Sequence, residues 1–382
     1  MTIERIPELA IERILIAPDK FKGSLTANEV AAELAAGFGM AVPDVLIDMC
    51  PVADGGEGTV DAAVAAGFTP VTFTATGPTG VPVQAKYAER DGTAVIELSA
   101  TSGLDLLPGG TPAPLTATSR GAGEAISAAI DRGCRTVVLG LGGSACTDGG
   151  AGMVAALGAR LLDRAGHEIA PGGAALRELH TVDLVRLHSR LAEVDVVVAS
   201  DVDNPLLGTH GAAAVYGPQK GATPGDVTVL EAALGHWSSL VSDATGRDVS
   251  ARPGAGAAGG VGFAAMAVLG ATLRPGIDLM LDLVGFASRL SKVDLVITGE
   301  GSVDAQTLRG KAPVGIAIAA TRAGVPTIVV GGRVLLDESS LQNAGFEATY
   351  ALTDIEPDSV RCMAEARSLL QETAFRIAAD RV

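Results

Sequence analysis

Five glycine-rich clusters punctuate the chain: Pro18–Ser24 (PDKFKGS), Asp54–Gly58 (DGGEG), Gly142–Gly152 (GGSACTDGGAG), Gly254–Gly262 (GAGAAGGVG) and Gly299–Asp304 (GEGSVD). Each falls where an aliphatic run ends or a helical run begins. Glycine lets backbone N–H groups approach an anion, and a helix start adds about half a positive charge. Asp19, Asp54, Asp148, Asp201, Asp203, Glu300 and Asp304 lie in or beside such turns. Phosphoryl transfer needs carboxylates for a divalent metal and one to accept or orient a hydroxyl proton. It also needs cations at the phosphoryl group and, for an acid substrate, at its carboxylate. Lys20, Lys22, Arg120, Lys220 and Lys311 are the candidates. Together these residues point to a phosphate site with a metal.

Other chemistries fit less well. No G-x-x-x-x-G-K-[ST] occurs in the five clusters. The run at 254–262 lacks both the preceding strand and the later acidic residue of a dinucleotide fingerprint. Gly143-Ser144-Ala-Cys146 is not a nucleophile elbow, and the five histidines have no metal spacing. A net charge of −16 and only 3% aromatic residues argue against nucleic acid as a partner. Mean hydropathy is +0.36, yet no apolar run approaches the roughly 20 residues of a membrane span. The N-terminus lacks the pattern of a signal peptide. Four widely spaced cysteines fit a reducing compartment, so a soluble, cytoplasmic protein is expected.

The elements that must position these residues alternate. Arg13–Ala17, Val45–Cys50, Leu295–Thr298 and Thr327–Val330 read as buried parallel strands. Thr26-x-x-Glu29 has capping-box spacing and predicts a helix start. In the middle, Val71–Ala75, Val83–Ala88 and Ala94–Leu98 read as strands, the last two joined across Asp91-Gly92. There follow a helix over Arg120–Asp131, a strand over Thr136–Leu141, a helix over Gly150–Leu162 and a strand over Val194–Ala199. Long helices are expected near Pro224–Ala244 and Ala258–Leu269. The pattern predicts an α/β protein in which residues 1–68 and 287–382 form one doubly wound parallel sheet. Residues 69–286 form an inserted α/β domain. Asp54-Gly-Gly-Glu-Gly-Thr-Val and Asp148-Gly-Gly-Ala-Gly-Met-Val share a pattern, and two strand-to-helix turns that each need glycine explain it better than duplication.

These motifs in order resemble the bacterial glycerate kinase family that lacks a Walker loop, type 1. The match includes IAPDKFKGSLTANEV, PVADGGEGT, TSRGAGE, LGGSACTDGGAGM, ASDVDNPLLG, YGPQKGA and ITGEGSVDAQTLRGKAPVGIA. The resemblance implies ATP-dependent phosphorylation of D-glycerate, giving 2-phosphoglycerate, in a cleft between two lobes. It implies a flavodoxin-like lobe from both chain ends and a restriction-endonuclease-like inserted lobe, acting with Mg²⁺ as a monomer or homodimer. On this reading Asp201, Lys22 and Asp304 are catalytic, and Asp201 and Asp304 hold the metal. Arg120, Asp54 and Asn204 bind substrate. Gly142, Gly143, Ser144, Asp148, Gly259, Gly260, Glu300 and Lys311 bind nucleotide. Lys20, Cys146 and Thr147 depart from the family pattern, as do the first 12 residues and the turn near Val329–Val334. The alternatives are a kinase for another small hydroxy acid or sugar acid, and a non-catalytic sensor.

Overall fold

The computed structural model describes residues 11–381; the expectations about the first ten residues lie outside the described part. The chain starts with β1 (Arg13–Pro18) and returns in parallel through β2 (Leu46–Met49). A second unit follows. It contains β3 (Thr69–Thr76), β4 (Pro82–Arg90), β5 (Thr93–Glu97), β6 (Thr136–Gly140), β7 (Arg160–Leu162), β8 (Thr181–Asp183), β9 (Asp195–Ala199) and β10 (Thr272–Arg274). The chain then re-enters the first unit with β11 (Leu295–Val303), β12 (Thr327–Val334) and β13 (Ala348–Ala351).

The first unit comprises residues up to Asp54 and from Ile277 onward. Its sheet is parallel throughout, in the order β13-β12-β11-β1-β2. That is the flavodoxin-like order expected, with its reversal between β1 and β11. Ile14, Leu15, Ile16 and Ala17 are wholly buried because helices cover both faces. The helix Ala27–Ala41 begins with the expected capping box: Thr26 accepts from the Glu29 N–H, and Glu29 accepts from the Thr26 N–H. It packs on the closing helix Ala366–Arg381 around Leu34, Phe38, Leu370 and Ile377.

The second unit, Gly55–Gly276, holds a six-stranded mixed sheet in the order β10-β9-β6-β5-β4-β3. β3, β4 and β5 run antiparallel, whereas β5, β6, β9 and β10 run parallel. Asp91 (φ 50°) and Gly92 (φ 77°) make the expected left-handed hairpin turn. The core gathers Ile96, Ile126, Leu139, Trp237 and Phe263.

Three differences from the sequence expectation have physical causes. The units divide at 54/55 and 276/277, earlier than 68 and 287. The helix Thr59–Ala65 belongs with the second unit, because its Val60 N–H is taken by the buried Glu97 carboxylate of β5. The helix expected over Gly150–Leu162 stops at Ala156, and residues 160–162 become β7 instead. Gly158 ends it at φ +105°, where an added Cβ would lie 2.1 Å from the Arg186 carbonyl oxygen. Lastly, β11 continues through Val303, so Gly299, Glu300 and Gly301 are strand residues rather than loop.

Candidate active site

In the first unit the carboxyl end of β1 lies beside the middle of β11, with Pro18 in register with Gly299. Open α/β sheets bind ligands at such a reversal point. Asp19 follows β1 directly, and its N–H donates to the Gly299 carbonyl at 2.8 Å. Its carboxylate is 9% exposed and accepts from the Lys20 N–H at 2.6 Å. Burial, then the nearby Asp54 carboxylate, pushes its pKa up to about 7, with a smaller push from Glu300. Lys22 stands exposed in the turn closed by the mutual Phe21 and Leu25 backbone bonds.

Glu300, on β11, is also buried. It accepts from the Thr307 hydroxyl at 2.5 Å and the Lys311 ammonium at 3.2 Å. Burial still raises its pKa above the ordinary value against both partners. Lys311 stands at the N-cap position of the helix Ala312–Ala323 without a side-chain capping bond. Asp304 is different: it accepts from the Gln306 N–H and the Ser302 hydroxyl on a turn, and the Gln306 bond lowers its pKa.

In the second unit the carboxyl ends of β5, β6, β9 and β10 bring several turns together. Gly142 and Gly143 follow β6 and are exposed. A Cβ on Gly142 would meet Gly56 Cα at 2.5 Å, so the 55–56 and 142–143 turns touch backbone to backbone. Asp201 follows β9, is exposed, and has Oδ1 fixed by the Gly276 N–H at 2.8 Å. Ser144 is buried beside Lys220, whose ammonium donates to its Oγ at 2.9 Å and also to the Cys146 carbonyl. Lys220 is 2% exposed and therefore cannot itself reach a ligand.

Asp148 is wholly buried and saturated. Oδ2 accepts from Ser119 N–H (2.8 Å), Ser119 Oγ (2.9 Å), Gly152 N–H (3.1 Å) and Thr118 Oγ (3.3 Å), while Oδ1 accepts from Gly150 N–H (3.1 Å). It ties the start of the helix Arg120–Asp131 to the turn before Ala151–Ala156, so it shapes the loop and presents nothing to a nucleotide. Gly259 and Gly260 likewise face protein. A Cβ on Gly259 would lie 2.3 Å from the Cys146 oxygen, and the Gly149 N–H donates to the Gly259 carbonyl. Asn204 is held by its bonds to the His210 carbonyl and the Tyr216 hydroxyl. Arg120 pairs with Glu124 at 3.2 Å and borders a cavity of about 320 Å³ that Thr118, Gly152 and Glu168 also line.

Asp19, Asp54, Glu300 and Lys311 thus gather in the first unit, and Gly142, Gly143, Ser144 and Asp201 in the second. Sequence spacing places Asp19 among the candidate carboxylates but gives it no individual role. Its place at the end of the first strand, where the α/β sheet reverses, is what sets it apart. Nothing in the sequence shows that Lys220 is buried. Among the described residues no group of three or more His, Cys, Asp or Glu is disposed to hold a metal ion. Among the same residues no helix is long and apolar enough to cross a membrane.

Residues 14–381 match the model of the glycerate kinase family. The chain is 45% identical over 371 residues to a glycerate kinase of Bacillus subtilis (strain 168), covering 96% of this chain and 97% of the relative. It is 43% identical over 343 residues to a glycerate 2-kinase of Escherichia coli (strain K12), covering 89% and 90%. A crystal structure described as a putative glycerate kinase 2 from Salmonella typhimurium LT2 superposes with a TM-score of 0.85 at 42% identity, covering 97% of this chain and 98% of that one.

Proposed function

The chain belongs to the glycerate kinase family, and from that premise we propose that it transfers the γ-phosphoryl group of ATP to the 2-hydroxyl of D-glycerate. The products are 2-phosphoglycerate and ADP. The observation that carries this reading is the family match over residues 14–381, which takes in every turn of the candidate site. The 2-position follows the Escherichia coli relative's name.

In this reading the exposed Gly142 and Gly143 N–H groups and the Ser144 hydroxyl take phosphate oxygens. Lys22, exposed at its turn, meets the transferring group, and Lys311 supports it while paired with Glu300. Arg120 holds the substrate carboxylate, for which its planar guanidinium suits a bidentate partner. Asp54 lies beside Asp19 to orient the substrate. Magnesium fits this chemistry, because it takes only one or two carboxylates and fills its shell with water and phosphate oxygens. Asp201, with one oxygen pinned by Gly276, is the carboxylate for it. When bound, the ion neutralises charge on the β- and γ-phosphates. The chain is proposed to work in the cytoplasm as a monomer or homodimer.

The test is ADP release across a panel of small hydroxy acids and sugar acids. ADP should form with D-glycerate and Mg²⁺ and fall to background without either. Release with another acid but not with glycerate contradicts the substrate. No release with any acid contradicts catalysis.

A further inference from the structure

We propose that Asp19 is the catalytic base that takes the proton of the glycerate 2-hydroxyl. The proposal rests on the reading of the chain as a glycerate kinase and adds to it the residue at which the proton is held.

Four of the other candidate carboxylates are committed elsewhere. Asp148 is saturated by five protein donors. Glu300 is tied to Thr307 and Lys311. Asp304 caps a turn, and Asp201 has one oxygen on the Gly276 N–H. Asp19 is nine-tenths buried at the carboxyl end of β1, beside the sheet's reversal point. Among the described residues the Lys20 N–H is the donor that reaches its carboxylate, and it takes Oδ1. Oδ2 therefore remains to accept a substrate proton.

The charged surroundings favour that use. Asp54 after β2 and Glu300 on β11 face Asp19 with like charge, and Lys20 on its own turn opposes them. Burial is the largest influence, and the carboxyl pKa rises to about 7. A base with a pKa near the working pH transfers protons most effectively. By contrast, the pKa of the half-buried Asp304 is lowered by its bond from the Gln306 N–H, making it a poorer base.

The step balances. The 2-hydroxyl proton moves to Asp19 Oδ2 while the hydroxyl oxygen forms a bond to the γ-phosphorus. The bond from that phosphorus to the β,γ-bridging oxygen breaks, and its electron pair leaves with ADP. Asp19 then releases the proton to solvent.

A raised carboxyl pKa also fixes the sign of a stability effect. Between about 4 and 7 the folded chain holds a proton that the unfolded chain has lost. Stability from this group therefore falls as pH rises through that window, and the ionised carboxylate weighs against folding above it. Asp19→Asn removes that cost, and the amide oxygen can still accept from Lys20.

The experiment compares the parent enzyme with Asp19→Asn at pH 8. It follows phosphoglycerate formation, KM for ATP and the thermal midpoint. The expected result is a kcat loss of about 10²-fold or more, an ATP KM within about threefold, and an unchanged or higher midpoint. A variant that keeps kcat within about threefold of the parent overturns the proposal. Should the variant fail to fold, the parent decides by its own pH profile. kcat/KM for glycerate should rise about tenfold per pH unit to a plateau near 7, and a flat profile from pH 5.5 to 8 overturns it. A parent without glycerate-dependent turnover instead contradicts the function itself.

Discussion

The Lys220 ammonium donates to Ser144 Oγ at 2.9 Å from a position 2% exposed to solvent. An ammonium has only donors, so it occupies an acceptor lone pair of the hydroxyl and leaves the hydroxyl hydrogen to point elsewhere. Ser144 thereby becomes a charge-polarised donor beside the exposed Gly142-Gly143 turn. Ser144→Ala should keep the fold and lower kcat by about 10²-fold, the usual cost of one positioned donor. Lys220→Met should lower activity and also destabilise, because the Cys146 carbonyl loses its partner at about 1–3 kcal/mol. Steady-state kinetics with urea unfolding checks both. Equal kinetic and stability effects in the two variants would contradict this division.

Asp148 and Asp201 should separate stability from turnover. Asp148→Ala strands five buried donors and should cost about 3–5 kcal/mol or prevent folding. Asp201→Asn, on an exposed carboxylate, should stay within about 0.5 kcal/mol of the parent. Its turnover should fall by about 10²-fold or more, with a raised Mg²⁺ requirement. Chemical denaturation and magnesium titration provide the comparison.

Two glycine substitutions should move in opposite directions. Gly259→Ala drives a Cβ to 2.3 Å from the Cys146 oxygen at φ +68°. It should destabilise by more than about 1 kcal/mol. Gly39→Ala, in the helix Ala27–Ala41 with open space around its Cβ, should stabilise by about 0.5–1 kcal/mol. Thermal unfolding of the pair tests the account of the 254–262 run as packing.

Arg120 pairs with Glu124 at an exposed i,i+4 position, a contact worth only about 0.3–0.5 kcal/mol. Arg120→Ala should therefore leave stability almost unchanged. The glycerate KM should rise by about tenfold or more if the guanidinium holds the substrate carboxylate, a charged contact of about 1.5–3 kcal/mol. An unchanged KM removes Arg120 from the site.

Much of the architecture was legible because it rests on local rules. The Thr26/Glu29 cap, the Asp91-Gly92 turn and the helix Arg120–Asp131 all occur where spacing and turn chemistry predict them. The short end of Gly150–Leu162 was not, because Gly158 is constrained by the distant Arg186 carbonyl. Site residues were legible as a set of turns but not as individuals. Asp148 and Asp201 look alike in sequence, yet one is sealed under five donors and the other is exposed. Burial of a polar group depends on tertiary packing, which no motif records. Asp19 and Lys220 stand out for the same reason, since only the folded chain shows both buried.

Phosphorylation of D-glycerate at its 2-hydroxyl can be read by NMR of the product formed from ATP, Mg²⁺ and D-glycerate. The phosphorus should couple to the single proton on C2. Coupling to the two protons on C3, or no phosphorylated glycerate at all, would contradict it.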